Sequence, residues 1–324
     1  MPVEKTALLP VSADDAFALL TEPDRLRRWQ TVTARVDLRA GGTYRWTVVP
    51  GHAAAGTYLE VEPGRRVVFG WGWEGSADLG PDASTVTVTL EPTQEGTLVR
   101  LVHTGLDDEQ AAVHAEGWGH YLERLQRAAV TGDAGPDEWA AVPGDLDRLT
   151  SADATLAVLQ HVLRDVDASR LGASTPCSEY DVAALRDHLL ESLVALGAMA
   201  GREVERASAG DLESQVAFVA QQTLEAWHTR GLDGTVRSGD NEMPASLGAG
   251  ILSLELLIHA WDFAAATGQK VQVADELAAF VLGLGEEIIS PQARAGGAFA
   301  EPVEVSGDAA ALDRLVAFSG RALA

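Results

Sequence analysis

The chain has 324 residues, with 24 Lys plus Arg against 48 Asp plus Glu and a net charge of −24. That length suits two domains better than one core, and the acidity argues against nucleic acid and anionic membrane surfaces as partners. Cys177 is the only cysteine, so no internal disulfide can form and a reducing, cytoplasmic setting is expected. The stretch MPVEKTALLPV lacks the charged-then-apolar pattern of a secretory signal, and no uninterrupted apolar run of about 18 residues predicts a membrane span.

In chain order, EKTALLP reads as a short strand and SADDAFALLTEPDRLRRW as a helix, with Ser12 as its N-cap. Strand signals follow. In TYRWTVV, Tyr44, Trp46 and Val48 share one face; in VFGWGWEG, Phe69, Trp71 and Trp73 share one face and Gly70 and Gly72 take the other. Glycine opposite tryptophan implies either a bend that opens the sheet around a cavity or close approach by a neighbouring element. TVTVTL and TLVRLVHTG are bounded by turn residues, and EGWGHYLERLQRAAV closes the unit as a long helix with Trp118, Leu122 and Leu125 at helical spacing.

This order, together with GTY, VVFGWGW and GWGHYLERL, resembles the START-like helix-grip (SRPBCC) superfamily, and more narrowly the homologues of the activator of the heat-shock-protein ATPase. The resemblance implies an α+β domain over 1–130, a curved antiparallel sheet around a long C-terminal helix, that binds a small apolar or aromatic molecule. Tyr44, Trp46, Phe69, Trp71, Trp73, Trp118 and Tyr121 are the candidate lining. Ordinary core packing is the competing reading of the same aromatics.

Residues 131–144, TGDAGPDEWAAVPG, have a linker composition. Helical patterning follows, over Ala152–Val166, Asp181–Ala200, Leu212–Thr229 and Ala245–Thr267, with shorter helices near Asp275–Ile289 and Ala309–Gly320. Four long helices with short connections predict an antiparallel bundle over 145–324, with extra C-terminal helices.

Leu252–Gly268, LSLELLIHAWDFAAATG, is apolar nearly all round and so predicts a buried helix. Glu255, His259 and Asp262 share one face of it. A buried carboxylate is costly unless paired or bound to a metal, and a Glu and a His one turn apart can grip one ion. A Glu–His pair that only locks packing is the alternative. His188, on the helix YDVAALRDHLLESLVAL, supplies a third donor. Two histidines and one carboxylate leave open positions on the ion, as in catalytic sites; Zn²⁺ is the default, and Ni²⁺, Fe²⁺ or Mn²⁺ would accept the same set.

TPCSEYDVAALRDHL followed by LELLIHAWDFAAATG resembles the DinB-like metal-binding four-helix bundles, especially the mycothiol-dependent maleylpyruvate isomerase N-terminal type. The resemblance implies that His188, Glu255 and His259 hold the metal, with mycothiol or another low-molecular-weight thiol as cofactor or partner. The ending ARAGGAFAEPVEV…LDRLVAFSGR resembles an uncharacterised branch of that group. The chain departs from the isomerase in carrying a helix-grip domain in front, which puts the isomerase substrate in doubt.

Asp262 is expected either to orient His259 or to bridge helices. Cys177 precedes a helix start, where the dipole lowers a thiol's pKa, though Thr-Pro-Cys also reads as a helix-entry turn. His120, His161 and His228 have no spacing partner and read as surface or packing residues. The expected function is a metal-dependent small-molecule enzyme, a thiol-dependent transferase or isomerase. The alternative is a non-catalytic binding protein with a structural metal; a co-chaperone role rests on a family name alone.

Overall fold

In the computed structural model, which describes residues 1–324 except 178, 208, 240, 296, 298 and 324, the chain forms two units, Met1–Asp137 and Glu138–Ala324. The first contains β1 (Val3–Leu9), α1 (Ala13–Thr21), α2 (Pro23–Leu26), β2 (Thr33–Val36), β3 (Thr43–Val49), β4 (His52–Glu62), β5 (Arg66–Trp71), β6 (Ser84–Thr93), β7 (Gly96–Thr104) and α3 (Asp108–Thr131). The strands form one antiparallel sheet in the order β1-β7-β6-β5-β4-β3-β2. Asp107 and Gln110 start α3 with a reciprocal capping box, and Gly132, at φ 84°, ends it. Trp118, Tyr121, Leu122 and Leu125 of α3 are buried in the same core as the aromatics of β3 and β5.

The longest strand, β4, breaks the expected alternation with Ala53, Ala54, Ala55 and Gly56, residues of low strand propensity. Pairing explains them: Ala54 lies opposite Trp46 and Gly56 opposite Tyr44, so small residues make room for cross-strand aromatics. Gly70 in β5 and Gly72 just after it settle the other question raised by the sequence. A Cβ on Gly70 would lie 2.0 Å from Asp82 Oδ1, and one on Gly72 only 1.7 Å from the Gly80 carbonyl. The chain after β5 folds back over that face, so close approach is what excludes side chains there. Asp82 pins the return. Its carboxylate accepts from Thr57 N (2.7 Å) and Thr57 Oγ1 (3.0 Å), and its own backbone is held at φ 63°.

The expected linker is partly structured. Residues 131–137 belong to the first unit because Arg124, buried on α3, donates to the carbonyls of Gly135 (2.8 Å) and Pro136 (3.1 Å). A short helix, α4 (Glu138–Ala141), opens the second unit.

That unit continues with α5 (Arg148–Arg164), α6 (Val182–Met199), α7 (Leu212–Arg230), β8 (Thr235–Ser238), β9 (Asn241–Pro244), α8 (Ala245–Thr267), α9 (Asp275–Ile288), α10 (Pro291–Ala295) and α11 (Ala311–Phe318). The long helices pack as a ring, α5 against α7 and α8, and α6 against the same two. The expectation of an all-α half needs one correction: β8 and β9 pair as a hairpin, and Val236 packs beneath it. By length and composition α8 could cross a membrane, but 72% of its most apolar window is buried inside the unit. It is a core helix.

Candidate functional site

Asp181 caps α6, its side chain accepting from Ala184 N, and so sets the phase that turns His188 toward α8. On α8, Glu255 and His259 stand one turn apart. Among the described residues, one donor atom each from His188, Glu255 and His259 lies within 4.8 Å of the other two. Glu255 Oε2 is 3.5 Å from His259 Nε2 and 3.7 Å from His188 Nε2. With bonds of about 2.0–2.2 Å to a tetrahedral ion, two donors stand roughly 3.3–3.6 Å apart, so the two Glu255 spacings lie close to what a divalent cation requires.

Two further features bear on that fit. Glu255 Oε2 is buried without a hydrogen-bond partner, a costly state for a carboxylate oxygen that a cation between the three groups would relieve. Asp262, fully buried, accepts from His259 Nδ1 at 2.9 Å, so in the neutral ring Nδ1 carries the proton and Nε2 turns its lone pair toward Glu255. Arg321, which no sequence spacing marks, grips Asp262 through Nε (2.8 Å) and Nη2 (2.7 Å).

Between the three side chains alone, the balance favours a charged His259, whose Nε2 proton a cation would displace. Burial opposes charge on His259, but Asp262 and Glu255 overcome it and lift the ring to about 9. Burial raises Glu255, yet the imidazoles of His259 and His188 leave it below its ordinary value. His188, for which burial dominates, is lowered. Its side chain is the most accessible of the three, 33% exposed, and Tyr180 lies flat against it at 5.0 Å and 20°. Cys177 is half-buried, and burial pushes its thiol up rather than down, against the expectation of a dipole-activated nucleophile. His120 and His228 are not without partners: they meet Asp137 at 2.9 Å and Asp153 at 3.0 Å.

In the first unit, Tyr44, Trp46, Phe69, Trp71, Trp118 and Tyr121 are buried and packed together. Trp71 and Trp118 stand 5.2 Å apart, and the void beside Trp46, Phe69 and Trp118 measures about 10 Å³, about the least that holds one water. The open space lies elsewhere. A cleft of about 520 Å³ opens between the loop after β5 and the first turns of α3, lined by Trp73, Leu79 and His114 with Asp78, Asp107 and Glu109. Of the seven expected lining residues, only Trp73 borders it.

Behind that cleft lies a buried network that the sequence reading missed. Trp118 Nε1 donates to His103 Nδ1 (3.1 Å), so His103 Nε2 donates to Ser84 Oγ (2.8 Å), and Ser84 donates to the Trp71 carbonyl (3.0 Å). Trp71 Nε1 donates to His114 Nε2 (3.3 Å), and His114 Nδ1 donates to the Gln110 carbonyl (2.8 Å). His103 therefore gives a proton to Ser84 instead of taking one, which rules this pair out as a nucleophile and base.

Comparison with known proteins adds the following. Residues 10–129 match the family described as Activator of Hsp90 ATPase homolog 1-like protein. The chain is 32% identical over 165 residues to the uncharacterized proteins Rv0738 and MT0763 of Mycobacterium tuberculosis, covering 49% of this chain and 90% of each relative. Among solved structures, the AHSA1-like protein RHE_CH02687 (1–152) from Rhizobium etli is 37% identical, over 45% of this chain and 92% of that one, with a TM-score of 0.37. The Aha1 dimer from Colwellia psychrerythraea is 18% identical, over 41% and 98%, with a TM-score of 0.37. DynU16, from the dynemicin biosynthetic locus, is 23% identical with a TM-score of 0.39; the match covers 46% of this chain and 57% of DynU16, so the chain spans little more than half of that protein.

Proposed function

Because the first unit belongs to the family of activator-of-Hsp90-ATPase-homologue-like (AHSA1-like) proteins, we propose that this chain is a small-molecule protein in which a helix-grip domain accompanies a divalent-metal enzyme built on a DinB-like bundle. One observation carries the reading: a buried carboxylate oxygen of Glu255, without a conventional hydrogen bond, set between the Nε2 atoms of His188 and His259. His188, Glu255 and His259 would hold the ion, most suitably zinc, and the donor set leaves coordination positions free. When bound, such an ion supplies Lewis acidity, polarising a carbonyl or acidifying a thiol such as mycothiol.

The chain's own groups do the rest. Asp262 orients His259, Glu255 offsets the charge of the ion, and Tyr180 buttresses His188 where the site meets solvent. In the first unit, the cleft sets Trp73 and Leu79 among Asp78, Asp107 and Glu109, so it suits a small molecule with an aromatic face and hydrogen-bond donors.

The test is elemental analysis of purified wild type, His188→Ala and His259→Ala, followed by a screen of thiol conjugation and isomerisation. The reading expects about one equivalent of metal in the wild type and far less in each variant. Full metal retention by either variant would sink the ligand assignment. Metal without turnover would favour the non-catalytic alternative, in which the ion only ties α6 to α8.

A further inference from the structure

We infer that Arg321 is a positioning residue of the metal centre, so that the segment following α11 belongs to that site although, among the described residues, it supplies none of the three donors. This rests on the ligand assignment proposed above.

Asp262 is fully buried and has three fixed donors. Oδ1 accepts from Arg321 Nε; Oδ2 accepts from Arg321 Nη2 and from His259 Nδ1. Two parallel bonds from a planar guanidinium fix the plane of a carboxylate, which a single point charge cannot do. With that plane fixed, Oδ2 meets His259 Nδ1 from one direction, and the ring presents Nε2 to Glu255 from one direction. An aspartate without Arg321 would still accept from His259, but it would be free to pivot about its own axis.

The guanidinium is itself held in place. Arg321 N donates to the Val316 carbonyl (3.2 Å), closing the end of α11, and Nη1 reaches Ser319 Oγ (3.3 Å). Ser319 Oγ in turn donates to the Val316 carbonyl at 2.7 Å. Since α11 packs on α9 and α8, the arginine reaches Asp262 from a rigid base rather than from a loose tail. A bridge needed only to join α11 to α8 would be complete with Asp262 and Arg321; the third bond, to a donor-group histidine, is what a purely structural pair does not require.

The test is a double-mutant cycle read as zinc affinity, by competition with a chromophoric chelator, in the full chain. Arg321→Ala and Asp262→Asn are each expected to weaken zinc binding by roughly 10- to 100-fold, the usual cost of losing an outer partner of a ligating histidine. The double variant should fall well short of the sum of the two losses, because the positioning effect of Arg321 runs through Asp262. Arg321→Lys should recover part of the loss, and at saturating cobalt Arg321→Ala should shift the ligand-field absorption relative to wild type. Wild-type affinity and an unshifted cobalt spectrum in Arg321→Ala, or additive losses in the double variant, would overturn the proposal. If Arg321→Ala fails to fold, Arg321→Lys against Arg321→Gln decides it, equal affinities counting against. His259→Ala separates the two readings: zinc binding that survives there refutes the ligand assignment itself, whereas its loss alongside an unaffected Arg321→Ala refutes only the role of Arg321.

Discussion

Trp118 donates its indole N–H to Nδ1 of His103 over 3.1 Å, and an indole can only donate. The neutral imidazole is therefore the form that this core accepts. Burial, reinforced by the neighbouring His114, holds His103 down to about 3, and burial likewise lowers His114.

The consequence for stability has a definite sign. Well above the ordinary histidine pKa of about 6.5 both histidines are neutral whether the unit is folded or unfolded, and they add no pH dependence. As the pH falls from there toward 3, the unfolded chain binds protons that the folded core refuses, so stability falls with pH. His103 can contribute up to about 1.4 kcal/mol per pH unit in that window, and His114 acts in the same direction. Denaturant unfolding of the first unit at pH 7.5 and 5.0 should show a loss on the order of 2 kcal/mol that shrinks in His103→Gln. An identical pH dependence in the variant would refute the assignment.

Trp71 and Trp73 should behave differently although they are neighbours on one strand face. Trp71 is 3% exposed and meets the rings of Trp46, Phe69 and Trp118, so Trp71→Ala should cost about 3–5 kcal/mol. Trp73 borders the open cleft, and Trp73→Ala should cost nearer 1 kcal/mol. In a thermal-shift screen of aromatic compounds, Trp73→Ala should lose any protection the wild type shows. Comparable stability losses in the two variants would mean that the cleft is not open in solution.

Two glycines predict opposite signs. Gly72→Ala forces a Cβ to within 1.7 Å of the Gly80 carbonyl, and backbone cannot swing aside as a side chain can; a loss of about 1–3 kcal/mol is expected. Gly117, inside α3, has open space where its Cβ would be. Gly117→Ala should therefore gain about 0.5–1 kcal/mol from the lower entropy of the unfolded helix residue. Equilibrium urea unfolding measures both, and a stabilised Gly72→Ala would contradict the loop placement.

Fragments 1–137 and 138–324 should each fold, since each holds its own buried core. A fragment ending at 130 should be less stable than one ending at 137, because Arg124 would lose the Gly135 and Pro136 carbonyls. Circular dichroism melts compare the three directly; insolubility of both longer pieces unless co-expressed would refute the division.

How far the sequence could be read depended on whether a signal was local. The helix Ala245–Thr267 and its Glu255–His259 pair were legible because a four-residue spacing is set by one helix alone. His188 was reachable only through a second motif. Strand β4 escaped because Ala54 and Gly56 are shaped by their partners Trp46 and Tyr44, and pairing is not written in a strand's own periodicity. Arg321 escaped for a stronger form of the same reason, lying 59 residues from Asp262 with no pattern to announce it. The aromatic face of β3 and β5 was read correctly as a face, but whether it encloses a cavity or fills one is a matter of volume, which composition does not give.

The pairing of β1 with β7 bears on how this protein is made. Val3 lies opposite His103, and Leu9 opposite Thr97, so β1 has no partner until about a hundred residues later in synthesis. At about 5–20 residues per second, that wait lasts roughly 5–20 s. Through it, the aromatic inner faces of β3 and β5 lack α3, whose Trp118, Tyr121 and Leu122 share their core. During synthesis the apolar side of this sheet thus stays exposed until α3, the last element of the first unit, has emerged to lie on it.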